Sequence, residues 1–160
     1  MSVAFVREES AEAAQEVSLP LRAVSAHPNL VTRSGLRALE RALANSQQAL
    51  KAAQTIEDAN ERRRALELAA RDARYFVERV ASAVPQPEPA DTAVVVFGSQ
   101  VTILGDDDRR QTFRIVGEDE ADPRGGSIAY VSPLAHRLIG KRVGEAVEMD
   151  GHEIEIVAVE

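Results

Sequence analysis

The stretch Thr55–Arg64, TIEDANERRR, packs three acids and three arginines into ten residues. Asp58 and Glu61 stand three positions apart, and Arg62, Arg63 and Arg64 follow directly. Carboxylates so placed are either solvated turn residues or a pair of oxygen donors carried to a place where they act. The other chemistry-bearing residues form no comparable group. His27, His136 and His152 are far apart and have no metal-ligand spacing. Ser132 lacks an evident His and Asp partner, so it reads as a helix cap and not a nucleophile. Gly125-Gly126 is not a phosphate loop, because no strand–turn–helix order surrounds it. The run EDEAD, Glu118–Asp122, reads as a divalent-ion loop or, more simply, as a solvated acidic loop. There is no cysteine, so disulfides and thiolate metal sites are excluded.

The elements that must position the charged stretch follow from composition and period. The chain has 160 residues, enough for one or two small domains. Apolar residues make up 44%, enough for a core, and aromatics only 4%. No run of 18 apolar residues occurs, so no helical span is expected. The N-terminus MSVAFVREES is too polar for a secretory signal, and a cytoplasmic protein is the expectation. Net charge is −7, distributed as +3 over residues 33–83 and −6 over residues 94–160. The acidic C-terminal half argues against wrapping duplex nucleic acid and permits docking on a basic protein surface.

Residues 1–31, with two prolines in SLPLRAVSAHPNL, read as an extended or disordered arm. At Thr32 or Ser34 a cap starts a helical pattern. Leu36, Leu39, Leu43, Ser46, Leu50 and Ala53 recur at heptad spacing. The seam resumes with Leu66, Ala69, Ala73, Phe76, Val80 and Ala83 until VPQPEP stops it. Two such helices joined by a short break make an antiparallel coiled-coil hairpin over 32–84. Pairing Ala53 with Leu66 puts its bend near Ala59 and Asn60. Arms of about 20–25 residues would span roughly 30–37 Å. Residues 85–93 are a Pro-rich linker.

Residues 94–160 read as a compact anchor. AVVVFGSQVTIL predicts a strand with a bulge at Gly98. QTFRIVG predicts a half-buried strand, and SIAYVS another. SPLAHRLIG predicts a short helix with Ser132 as cap and Pro133 at its first position. EAVEMDGHEIEIVAVE predicts a hairpin turning at Asp150-Gly151. The fold class is α+β: a helical hairpin followed by a small, mostly antiparallel sheet of four or five strands with one short helix.

The order and spacing of FGSQVTI, FRIVGEDEADP, IAYVSPLAHRLIGKRVGEAVEM and HEIEIVAVE resemble the C-terminal domain of the Gre-type bacterial transcription elongation factors. The resemblance covers about 65 residues closely, and the hairpin before them matches in kind. It implies an FKBP-like docking domain over 94–160 that binds the rim of the RNA polymerase secondary channel. The polymerase-contacting surface would include Ser132, Pro133, Leu134 and His136. The coiled coil would enter the channel. Classical members present an Asp-x-x-Glu pair at the tip that helps hold a second Mg²⁺ for cleavage of a backtracked transcript. Asp58 and Glu61 match that spacing, and Arg62, Arg63 and Arg64 would favour RNA phosphate. The protein itself would be a regulator and not an enzyme. It would have no cofactor of its own, would touch nascent RNA or DNA only within the polymerase complex, and would be a monomer without a membrane partner.

Two departures stand beside the match. The arms are about one heptad shorter than classical ones, roughly 10 Å of reach. The surrounding tip sequence also differs. The shorter hairpin resembles the regulator-of-nucleoside-diphosphate-kinase branch, which implies channel binding without cleavage. A prolyl isomerase with a helical appendage is the remote alternative, since fold alone does not carry function.

Overall fold

The computed structural model describes residues 19–160, so the part of the expected arm before Leu19 lies outside the described residues. The chain is α+β. Helix α1 covers Arg33–Ala53 and helix α2 covers Ala59–Ala81, and they pack antiparallel. Thr32 caps α1, its side chain accepting from the Gly35 N–H at 2.9 Å. The seam is thin: Leu39, Ser46 and Ala53 face Ala69 and Ala73, all buried. Alanines let the helices approach closely but bury little apolar area. The hairpin therefore depends on what holds its base.

The bend lies at 54–58, earlier than Ala59 and Asn60, which are instead the first residues of α2. The reason is local. Asp58 is extended and caps α2 by accepting from the Glu61 N–H at 2.7 Å, so helical geometry begins at residue 59.

The ends of the arm and linker are ordered into a two-stranded parallel ladder, β1 (Leu30–Val31) with β2 (Val84–Pro85). The Val84 N–H donates to Asn29 O at 2.8 Å and the Gln86 N–H to Val31 O at 2.9 Å. Pro85, which has no N–H, occupies the position between those two donors.

The second half is one five-stranded sheet. Its strands are β3 (Gln100–Gly105), β4 (Arg110–Val116), β5 (Ser127–Ala129), β6 (Ala146–Met149) and β7 (His152–Val159), in the order β5-β4-β3-β7-β6. The sheet is mixed, since β4 and β5 run parallel. Residues 117–126 between them form a loop with a 3-10 turn at Pro123–Gly125, long enough to carry the chain back before it pairs again. Helix α3 (Pro133–Leu138) packs on this sheet, capped by Ser132. Val95, Val101, Ile103, Ile115, Ala135, Leu138 and Ile156 form the core. Asp150 and Gly151 have φ of 54° and 81°, which makes the expected β6–β7 turn.

One strand expectation fails. Residues 94–99 are not in the sheet, and the register irregularity lies between Thr102 and Ile103 and not at Gly98. Val95 is fully buried, but its N–H donates to Lys141 O and its carbonyl accepts from the Gly140 N–H, both at 2.8 Å. The apolar run thus fills the core as a coil pinned to the end of α3.

Candidate functional site

The hairpin has two charged ends, and they are built differently. At the crest, Asp58 and Glu61 are both exposed. Asp58 is the N-cap of α2 and Glu61 its third residue, the same spacing a capping box uses. Negative charge there also suits the positive end of the helix dipole. Hence the Asp-x-x-Glu pair has a structural role before any chemical one. Arg62 turns away from these acids. Its Nη1 donates to Ile56 O at 2.8 Å and to Glu57 O at 3.2 Å, closing the bend over carbonyls that lie between the helices. Arg63 and Arg64 are exposed on the following turn.

At the base, the acidic loop Gly117–Glu120 is a clamp and not a solvated loop. Arg79 on α2 is 2% exposed. Its Nε donates to Asp119 Oδ2 at 2.5 Å, and its Nη2 lies 4.0 Å from Glu118 Oε2. The Tyr75 hydroxyl, one turn earlier, donates to Asp119 Oδ1. Burial, then the bond to Asp119, raises the Tyr75 pKa above its ordinary 10.0. Glu120 reaches α1: Thr32 Oγ1 donates to Glu120 Oε2 at 2.5 Å, and Ser34 Oγ to Oε1 at 2.6 Å. Two glycines make room. A Cβ at Gly35 would clash with Glu120 Oε2, and one at Gly117 with the carbonyl oxygen of Leu30. The Tyr130 hydroxyl adds a bond to Pro28 O at 2.5 Å. Each helix is thereby tied to one short loop by charged hydrogen bonds, the strong kind.

The third region is α3. Ser132 accepts from the Ala135 N–H at 3.3 Å, so its hydroxyl is engaged as a cap. Pro133 and His136 are exposed and Leu134 is half-buried against the core. These residues stand on the sheet domain, apart in sequence and element from the tip residues. His152 lies elsewhere again: its Nδ1 is 2.6 Å from Asp106 Oδ2 across two turns of the sheet. That bond raises its pKa above 6.5.

Among the described residues, no group of three or more His, Cys, Asp or Glu could hold a metal ion. Asp58 and Glu61 supply two hard oxygen donors of the type Mg²⁺ takes, with one Asp58 oxygen engaged by the cap. Two such donors fit only part of the ligand set a divalent ion takes.

Sequence reasoning missed the clamp. A usable signal was present: Tyr75 and Arg79 are i, i+4 neighbours beside the seam at the end of the hairpin that needs anchoring.

Residues 90–160 match the family described as transcription elongation factor, GreA/GreB, C-terminal. The chain is 42% identical over 78 residues to transcription elongation factor GreA of Vibrio parahaemolyticus, covering 48% of this chain and 49% of that protein. It is 42% identical over 93 residues to transcription elongation factor GreB of Neisseria meningitidis serogroup B, covering 54% of this chain and 57% of that one. The chain thus spans about half the length of the curated relatives it matches. Of solved structures, GreA factor homolog 1 of Thermus thermophilus aligns with a TM-score of 0.40 at 21% identity, covering 84% of this chain and 99% of that one. Over residues 90–160 the chain thus resembles the C-terminal domain of the GreA/GreB transcription elongation factors.

Proposed function

We propose that this chain regulates transcription elongation by binding RNA polymerase at its secondary channel. The sheet domain docks on the channel rim, through a surface that includes Ser132, Pro133, Leu134 and His136. The hairpin points inward. The observation that carries this reading is the clamp, because a Gre-type domain is fastened to both helices of a hairpin at its base. A projection held this way can be aimed by docking the domain. The chain acts on the polymerase and is not itself the catalyst. It works in the cytoplasm, where its partner is.

The tip geometry favours a regulator that occupies the channel without promoting cleavage. Asp58 is engaged as a helix cap, Arg62 closes the bend, and the arms of 21 and 23 residues are short. A second reading rests on the exposure of Asp58 and Glu61 at the crest. In that reading they hold a Mg²⁺ shared with the polymerase, Arg63 and Arg64 steer RNA phosphate, and the polymerase's own hydrolysis is stimulated. The ion would supply activation of water. The chain's part would be to hold two carboxylates on a rigid helix start.

Transcript cleavage on a backtracked elongation complex separates the two. Binding without added cleavage supports the regulator. Stimulated cleavage that Asp58→Asn with Glu61→Gln abolishes supports the second reading. Absence of polymerase binding overturns both.

A further inference from the structure

The segment before α1 does not leave the hairpin at its base. Pro20 and Pro28 stand near its two ends, and it forms neither helix nor strand until β1. Three contacts hold it to α2. Asn29 is 5% exposed, and its Nδ2 donates to Arg79 O at 2.7 Å and to Ser82 Oγ at 3.2 Å. Arg22 Nη1 donates to Asp72 Oδ1 at 3.4 Å, and its guanidinium stands 3.8 Å from the Tyr75 ring centroid and 4.9 Å from that of Phe76. Leu19 and Leu21 border one crevice with Glu67, Ala70, Arg71 and Arg74. On α2 these contacts step from Ser82 to Glu67, so the segment runs from the base toward the crest over about 22 Å.

Arg22 is the middle fastening. Asp72 is shared, since Arg71 Nη2 also lies 3.3 Å from it. What sets Arg22 apart is its place over two aromatic rings, where a planar guanidinium is held by the ring electrons. The Tyr75 hydroxyl donates to Asp119, so Arg22 lies over a ring whose far end belongs to the clamp.

The consequence is one of cross-section. Two packed helices alone have the same girth along their whole length. The segment adds a third layer over Glu67–Ser82. Crestward of Glu67, α2 continues for about 12 Å to its start at Ala59. Asp58 and Glu61 lie in that part.

On the channel reading given above, we propose that residues 19–29 form a shoulder that limits how far the hairpin enters an opening matched to two helices, and that Arg22 is the positioning residue that holds it. The thickened section stays outside, and no more than the part crestward of Glu67 is admitted. Depth of insertion is then set by the shoulder as well as by helix length. Leu21, 65% exposed, is placed to meet the mouth of the channel.

Arg22→Glu turns the ion pair with Asp72 into a repulsion and removes the cation from both rings. In the free parent, nuclear Overhauser contacts should join the Arg22 side chain to the Tyr75 ring and Leu19 and Leu21 to α2. Arg22→Glu should abolish them, with the amide signals of 94–160 unchanged as the control for folding. A parent without these contacts, or Leu19 and Leu21 contacts that survive Arg22→Glu, overturns the proposal. With core polymerase, a photoreactive residue in place of Leu21 should give adducts at the channel mouth, and their absence overturns the shoulder. A photoreactive residue in place of Asn60 should give adducts that move inward in Arg22→Glu, by up to about 20 Å. Asn60 adducts that stay in place or move outward overturn the shoulder and leave channel binding standing. No channel adduct from Asn60 in either form overturns channel binding and the shoulder with it.

Discussion

The two ends of the hairpin use the same residue types to opposite effect. At the base, Arg79 is buried among Glu118 and Asp119 and its charge fixes the helices to the sheet domain. At the crest, Asp58 and Glu61 are exposed and Arg62 reaches backbone carbonyls. Acid and arginine together therefore say little about function until burial is known. Where they are removed from water they must be paired, and breaking the pair is costly. Where they are wet they cap, close a turn, or stay accessible to a partner. The molecule concentrates its rigidity at one end of the hairpin and its accessibility at the other.

The base is the place to break this contrast most severely. Arg79→Ala leaves Asp119 and the buried Glu118 Oε2 without their cation, and should lower stability by about 3 kcal/mol. Arg62→Ala at the crest should lower it by only about 1 kcal/mol, because water replaces its two bonds. Urea denaturation of both variants checks the ratio, and equal losses would erase the distinction between the ends.

A smaller effect separates structure from chemistry at the tip itself. Asp58→Ala removes the α2 cap and should cost about 1 kcal/mol, whereas Asp58→Asn keeps an accepting oxygen and should cost little. Thermal melts of the two variants measure this. A neutral result for Asn makes Asp58→Asn a clean probe of the carboxylate's charge in any polymerase assay.

pH sharpens the comparison further. The folded-state pKa of Tyr75 is raised, first by burial and then by Asp119. Its contribution is complete below the ordinary 10.0 and is lost as pH rises through the folded value. Tyr75→Phe should be less stable than the parent below pH 10.0 and should lose less stability as pH rises above it, and an unchanged dependence would remove Tyr75 from the clamp. The smallest effect is at His152, raised by its hydrogen bond to Asp106. Its pairing is present below pH 6.5 and fades as pH rises through the raised value. NMR titration should find His152 above 6.5 in the parent and lower in Asp106→Asn.

The hairpin was legible because heptad spacing is local information, and α3 because Ser132-Pro133 is a strong start signal. The Asp58–Glu61 spacing was legible too, but not its use as a cap, since capping and metal binding employ the same residues. The clamp was not legible. Its bonds join Thr32 to Glu120 and Arg79 to Asp119, and no periodicity announces contacts at such separations. The parallel β4–β5 pair was hidden for a related reason. A loop such as 117–126 does not reveal on which side the chain returns. The unbroken apolar run before Gly98 misled at 94–99, where Val95 fills the core as coil, because buried coil and buried strand share composition.

The central claim, that the sheet domain docks on RNA polymerase and sends the crest into the secondary channel, is tested most directly by site-specific photocrosslinking. A photoreactive residue at Asn60, beside the tip carboxylates, would be activated in a complex with bacterial core polymerase. The account predicts adducts to polymerase segments lining the secondary channel, lost when the clamp is broken by Arg79→Ala. Adducts confined to the outer surface of the polymerase would contradict it.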